Sequence, residues 1–308
     1  RSPCRPWASE GAVTWLAILV ALLAAALFAL GSVLQARAAQ DVPDDEALGV
    51  GLITRLIRRP IWLAGTAGEV LGYAAQAIAL ALGSLVLVQP LLATSLLFAL
   101  PLGAWWAGRR LRRSDGVWAV ILTAGLGIFL VAGNPTEGVD RTALAHWLIA
   151  AAVLGPPVVA CIVVAVRTRG AVRAVALASA VGILYGVMSA LTKSVMSVLD
   201  DGFVDIVQSW ELWALIAVSA LGTYLQQSSY QAGSLSQALP AAAVLEPLVA
   251  VGLGMALLNE KLQADGLEWA LIVLAAAAMI AATAALARSQ AEAEEGLEAE
   301  PTPVPAPA

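Results

Sequence analysis

Charge is scarce in this chain. Of its 308 residues, 13% are charged and 60% are hydrophobic, with a mean hydropathy of +0.83. A soluble globular domain is about a quarter charged, so the composition excludes that class and points to the membrane. Cysteine is nearly absent: Cys4 and Cys161 are the two, and they have no paired spacing. That excludes a disulfide framework and a cysteine-based zinc site. Histidine occurs once, as His146, and lysine twice, as Lys193 and Lys261. Neither H-E-x-x-H nor G-x-S-x-G occurs, and no nucleophile has an evident base partner, so the chain is not expected to be an enzyme. No G-x-x-x-x-G-K loop is present. Any energy coupling is therefore expected to come from an ion gradient, and no cofactor is expected. The net charge of −5 is inflated by an acidic C-terminal tail and gives no ground for a nucleic-acid partner.

What the chain has in quantity is long apolar runs. A membrane-crossing helix needs about 20 mainly apolar residues. Nine segments meet that length, near 13–35, 60–83, 84–108, 115–133, 142–166, 171–198, 209–232, 234–258 and 265–287. The expected fold class is all-α: a polytopic membrane protein of about nine transmembrane helices. The longest loop, 36–59, ends in Arg55, Arg58 and Arg59 beside Leu and Ile, and reads as a short interfacial helix. Residues 288–308 are acidic and Pro-rich and read as a disordered tail.

The arginines orient the spans. With nine crossings, twelve basic residues share one side: Arg37, Arg55, Arg58, Arg59, Arg109, Arg110, Arg112, Arg113, Arg167, Arg169, Arg173 and Arg288. The other side holds four, namely Arg1, Arg5, Arg141 and Lys261. Basic residues collect on the cytoplasmic side, so the expectation is a bacterial-type inner membrane protein with its N-terminus outside and its C-terminus in the cytoplasm. A competing reading takes "LQARAAQD" after the first run as a signal-peptide cleavage site, but that would put Arg55, Arg58 and Arg59 outside.

The second half repeats the first. Sliding residues 71–90 by 150 positions gives seven identities in twenty without gaps, among them Gln76 with Gln226 and Pro90 with Pro240. Further on, "LRRSDGVWA" from Leu111 parallels "LQADGLEWA" from Leu262. Residues 13–133 and 171–287 therefore read as two four-helix repeats, with 142–166 as connector. Four spans plus one connector set the copies in opposite orientations. Inverted repeats of this kind place a substrate site near the bilayer midplane and let the halves rock or gate around it.

Polar residues fall where such a site belongs. Glu69 lies about ten residues into its span, at ~15 Å depth, near the middle of a ~30 Å core, and Glu246 lies at similar depth. A charge there costs at least ~2.5 kcal/mol and usually faces a bundle interior or a water cavity. Each carboxylate either binds a cation or carries a proton, or else only locks helix packing. Lys193 either snorkels to the outer interface or pairs with Glu246 or Glu69. Gln76, Gln89, Gln226, Gln227 and Gln231, with Tyr73, Tyr224 and Tyr230, form a polar stripe around the repeat, which lines a pathway or serves as interhelical bonds. Gly68 and Gly72 read as a close helix crossing. Pro90, Pro240 and Pro247 read as helix bends. Trp62, Trp105, Trp118, Trp147 and Trp213 read as an interfacial belt, and His146 as an interface residue. The partners expected are the lipid bilayer, a small solute or cation, and a second copy in a homodimer.

Two stretches carry a family resemblance. "LLNEKLQADGLEWA" from Leu257 resembles the N-E-[K/R]-L turn of the drug/metabolite transporter superfamily (EamA-like exporters). "WLAGTAGEVLGYAAQAIALALGSLVLVQPL", from Trp62 to Leu92, is similar to the second span of its NIPA-type magnesium transporter branch. The resemblance covers roughly 13–287 and implies a nine-span carrier with an outside N-terminus, moving Mg²⁺ or another divalent cation, with Glu69 as the residue carried over as a cation or proton site. The first span ends "GSVLQ" at Gly31–Gln35 where that branch carries a more basic ending, so a proton-coupled exporter of a small metabolite or drug is the alternative. A non-transporting membrane subunit is a third reading.

Overall fold

The computed structural model describes residues 10–40, 59–106, 112–199, 202–232 and 235–298. It is built almost wholly of helices: α1 (Glu10–Gln40), α2 (Pro60–Leu82), α3 (Leu85–Leu92), α4 (Ser95–Trp106), α5 (Arg113–Gly133), α6 (Leu144–Arg167), α7 (Gly170–Val198), α8 (Phe203–Gln208), α9 (Trp210–Ala232), α10 (Leu235–Leu257) and α11 (Leu267–Glu298). Two two-residue strands, β1 (Pro135–Thr136) and β2 (Lys261–Leu262), pair antiparallel with Thr136 opposite Lys261. The interfacial helix expected over "LGVGLITRLIRR", 48–59, lies outside the described residues except for Arg59.

Among the described residues seven segments are long and apolar enough to cross a bilayer: Val13–Leu34, Leu85–Trp105, Arg113–Gly133, Leu144–Arg167, Val172–Val198, Pro240–Leu257 and Leu267–Ser289. Their outer faces carry large apolar side chains such as Val131, Val166 and Leu267, each more than three-quarters exposed. Water would not tolerate a surface of this kind over a whole bundle, and lipid does. The chain is an all-α, multi-pass membrane protein. Helices α2 and α9 are 23 residues each; both reach spanning length, but Glu69, Tyr73 and Gln76 dilute the first and a run from Thr223 to Gln231 dilutes the second.

Local chemistry sets several helix ends. Pro60 opens α2, where its missing N–H costs nothing. The Ser84 hydroxyl caps α3 by accepting from the Leu87 N–H at 3.1 Å. Asp115 accepts from the Arg112 N–H at 3.3 Å to start α5, and Asn134 closes it in the left-handed conformation at φ 38°. The span expected over 84–108 reappears as Leu85–Trp105, broken within into two helices. At Ala93–Thr94 the Thr94 N–H and hydroxyl both donate to the Leu91 carbonyl, at 3.1 and 2.6 Å, and the turn they make separates α3 from α4. At the other end of the chain α11 continues to Glu298, into the segment expected to be disordered. Its "QAEAEEGLE" sequence is rich in strong helix formers, and a helix already nucleated in the membrane propagates through them.

Close glycine crossings bind the helices in pairs. Helix α1 crosses α2 where Gly31 faces Gly65 and Gly68; a Cβ on Gly31 would stand 2.9 Å from the Gly65 carbonyl oxygen. Helix α7 meets α10 at Gly182 and Gly186, where an added Cβ would stand 3.0 Å from the Ala242 oxygen and 2.8 Å from the Glu246 oxygen. A third kind of crossing occurs twice. Gly72 of α2 seats the ring of Phe28 from α1, and Gly222 of α9 seats the ring of Tyr185 from α7. Helix α11 packs along α5 and α10, and α6 packs along α7.

Helix boundaries keep a fixed offset. Both ends of α9 (210 and 232) lie 150 positions after those of α2 (60 and 82). Helices α3 and α10, which follow them, begin at 85 and 235, again 150 apart. Gly72 and Gly222 share that offset.

Polar links gather the connecting segments 83–84, 134–143 and 258–266 on one face of the bundle. Besides the β1–β2 pair, Asn134 Nδ2 donates to Gln263 Oε1 at 2.9 Å and the Val139 N–H to the Leu258 oxygen at 2.6 Å. Arg141 grips Glu211 of α9 with both arms of its guanidinium, Nε to Oε1 at 2.6 Å and Nη2 to Oε2 at 3.0 Å. Nearby, Trp147 of α6 meets Trp210 of α9 edge to face, with centroids 5.8 Å apart. Trp147 is thus buried in the core and does not belong to the interfacial belt, whereas Trp105 and Trp213 are exposed as such a belt requires.

Candidate functional site

The polar side chains of α2 turn toward α7, which also touches α9 and α10. Tyr73 shares a 2.9 Å hydrogen bond with the Thr192 hydroxyl. Gln76 donates from Nε2 to the Ser189 hydroxyl at 3.2 Å and is itself buried. On its other flank α7 presents Tyr185, whose hydroxyl donates to Gln226 Oε1 of α9 at 2.9 Å and is also bonded to Thr223. These residues stand on α2, α7 and α9 at helical spacing: Tyr73 and Gln76 are three apart, as are Ser189 and Thr192, so each pair shares a face.

The two carboxylates sit around this seam. Glu69 is half-buried on α2, one turn before Tyr73, with its Cγ against the Gly31 crossing. Glu246 is half-buried on α10, its backbone oxygen against Gly186 of α7. The charges of both reach the Tyr185 hydroxyl, and the charge of Glu246 also reaches Tyr73. Tyr185 stands on α7, the helix that packs against both α2, which carries Glu69 and Tyr73, and α10, which carries Glu246. Tyr185 was not among the residues singled out from sequence. Its signal is slight: it is one of four tyrosines and lies within the apolar run "GILYGVM".

Other expected site residues fall elsewhere. Lys193 is buried but pairs with neither Glu246 nor Glu69. Its Nζ donates to Glu260 Oε1 at 3.1 Å and to the Gly83 oxygen at 2.9 Å, and stands 3.9 Å from Asp140. It does not snorkel to the interface either, because a carboxylate and a free helix-end carbonyl meet it within the protein. Glu260 is fully buried and accepts two more hydrogen bonds, from the Leu85 N–H at 2.9 Å and the Val86 N–H at 3.0 Å. Glu260 and Glu211 are two fully buried acidic residues that the sequence reading passed over. The N-E-K-L turn was the available signal for the first. The side chains of Gln227 and Tyr230 lie outside the described residues. Pro90 lies within α3, and Pro240 and Pro247 within α10. Gln89 is buried, and its Nε2 has no hydrogen-bond partner among the described residues.

Among the described residues no three of His, Cys, Asp and Glu group as a metal cluster. A cation at this site would meet at most the two glutamates, with neutral oxygens from tyrosine, glutamine and hydroxyl side chains. Mg²⁺ is held in that manner elsewhere, by one or two carboxylates with several waters retained. The same set also fits an organic solute that is recognised by hydrogen bonds.

A comparison with known proteins returns one informative relative. The chain is 36% identical over 273 residues to the uncharacterised protein Cgl0250/cg0304 of Corynebacterium glutamicum, covering 87% of this chain and 93% of that one. No family model matches the chain, and no solved structure matches it.

Proposed function

We propose that this chain, which belongs to the same family as the Corynebacterium glutamicum protein Cgl0250/cg0304, is a carrier that moves a small solute across the cell membrane by alternating access. In this reading α2 and α9 complete the seven apolar spans to nine, with α3 and α4 together making one. Two inverted four-helix repeats flank α6, with the N-terminus outside and the C-terminus in the cytoplasm, as in the drug/metabolite transporter superfamily. One observation carries the reading. The two helices 150 positions apart are the two of spanning length that polar residues keep out of the seven apolar spans, and each seats an aromatic ring on its equivalent glycine, Gly72 under Phe28 and Gly222 under Tyr185. A duplicated scaffold that keeps its polar helices in register is what a midplane site between repeats requires.

The substrate favoured by Glu69 and Glu246 together is a cation, Mg²⁺ or another divalent ion in the NIPA-like manner, held with part of its water shell. A second reading, a proton-coupled exporter of a small metabolite or drug, draws support from the uncharged Tyr73–Thr192, Gln76–Ser189 and Tyr185–Gln226 bonds at the same seam. The test is Mg²⁺ entry into proteoliposomes with an internal dye. Flux in the wild type that collapses in Glu69→Gln and Glu246→Gln supports the cation carrier. No flux from well-folded wild type removes Mg²⁺ and turns the search to organic solutes driven by a pH gradient.

A further inference from the structure

The buried pair Lys193–Glu260 lies outside the seam just described, and each of its bonds crosses a boundary between elements. Glu260 belongs to the turn after α10. Both of its oxygens receive backbone N–H groups of α3, and one also receives Lys193 of α7. Lys193 in turn holds the carbonyl of Gly83, the residue that ends α2. The three segments so joined are the end of α2 with the start of α3, the outer part of α7, and the turn before β2. Lys193 also directly follows Thr192, the partner of Tyr73, so the pair sits immediately beyond the seam toward the face where the connecting segments gather. Gly254 is shaped to the same arrangement: a Cβ there would stand 2.5 Å from Glu260 Oε2.

We propose that Lys193 and Glu260 form a latch that closes the carrier's site toward this face, and that their separation opens it. The proposal rests on the transport reading above. Two considerations support a moving contact over a fixed one. In a buried ion pair the desolvation cost nearly cancels the Coulomb attraction. Such a pair fixes the register of a closed state while adding little net stability, which suits a contact that must part. In addition, the acid has no equivalent in the first half of the sequence. Shifting "NEKL" (259–262) back by 151 positions gives "GRRL" (108–111), with arginine where the acid stands. An acid needed merely to hold a repeat together would be expected in both copies.

Accessibility tests the latch without knowledge of the substrate. In the full chain carrying Cys4→Ser and Cys161→Ser, Ser189→Cys places a thiol on the seam beside Gln76. Asp265→Cys, exposed on the latch face, reports which vesicle orientation presents that face to an impermeant maleimide. Glu260→Gln is expected to speed labelling of Cys at 189 from the latch face by about tenfold or more, the change that ~1.4 kcal/mol taken from the closed state produces. Because a lone buried lysine can unfold the protein, Lys193→Met with Glu260→Gln is the second variant, and it is expected to give the same acceleration. A folded double variant that labels at the wild-type rate from that face overturns the latch, as does equal acceleration from both faces. No labelling from either face in any folded variant means that the seam never meets water, and the transport reading falls with the latch.

Discussion

Gly186 offers a direct measure of how tightly the second half is built around Glu246. A methyl group there would stand 2.6 Å from Val249 Cβ and 2.8 Å from the Glu246 carbonyl oxygen. Carbon atoms prefer separations of about 3.5–4.0 Å, so α10 would have to withdraw by roughly 1 Å, and the oxygen is backbone and cannot rotate aside. Overpacking of this kind costs about 1–3 kcal/mol. Replacing glycine by alanine within a helix returns about 1 kcal/mol of propensity, which blurs the result for a single variant. Gly127→Ala in α5 supplies the reference, because nothing lies within 4 Å of a Cβ at that position and no proline follows it. The propensity gain is common to both variants, so their difference isolates the crossing: Gly186→Ala should be less stable than Gly127→Ala by about 1–3 kcal/mol. The assay is thermal or denaturant unfolding of the detergent-purified proteins side by side. Equal unfolding midpoints would refute the close α7–α10 packing on which the placement of Glu246 depends.

Two further outcomes are expected. Arg141→Ala leaves the fully buried Glu211 without its bidentate partner and should cost about 3 kcal/mol, the low end for a broken buried pair because Arg141 is half-exposed; Arg141→Lys should recover only part of it, since lysine lacks the fork, and a loss below about 0.5 kcal/mol in denaturant titration would contradict the pairing. Single cysteines at Asp265 and Arg169, both exposed, should label from opposite sides of the membrane if α9 crosses it, and from the same side if it does not.

Seven of the nine expected spans were legible because a bilayer demands long apolar runs and the sequence supplies them. The repeat was read from residues that are rare in membranes, Gln76 with Gln226 and Pro90 with Pro240; what the structure adds is that α2 and α9, and the starts of α3 and α10, keep the same 150-residue offset. The division of α3 from α4 was not legible, because it turns on where one threonine hydroxyl finds its acceptor. The polar seam was partly legible. Tyr73, Gln76 and Gln226 announce themselves by polarity, but Tyr185 looks like one more bulky residue in an apolar helix. Least legible was the partner of Lys193. The sequence reading sought it among the acids inside the spans, Glu69 and Glu246. The structure supplies it from a polar turn that reads as solvent-exposed until the N-terminus of α3 is brought over it. Glu211 was missed for the same reason, since its burial depends on Arg141 arriving from another segment. Long-range electrostatic partners are set by topology, and a single chain read in order does not display them.

The edge-to-face meeting of Trp147 and Trp210 has a use of its own. Two indoles 5.8 Å apart at an interplanar angle of 73° share their electronic excitations, so the pair absorbs circularly polarised light as a coupled chromophore with a sign and strength fixed by its geometry. One indole rides on α6 and the other on the first turn of α9. The protein thus carries a built-in optical gauge of the distance between α6 and α9, and it reports any sliding of one against the other in unlabelled material.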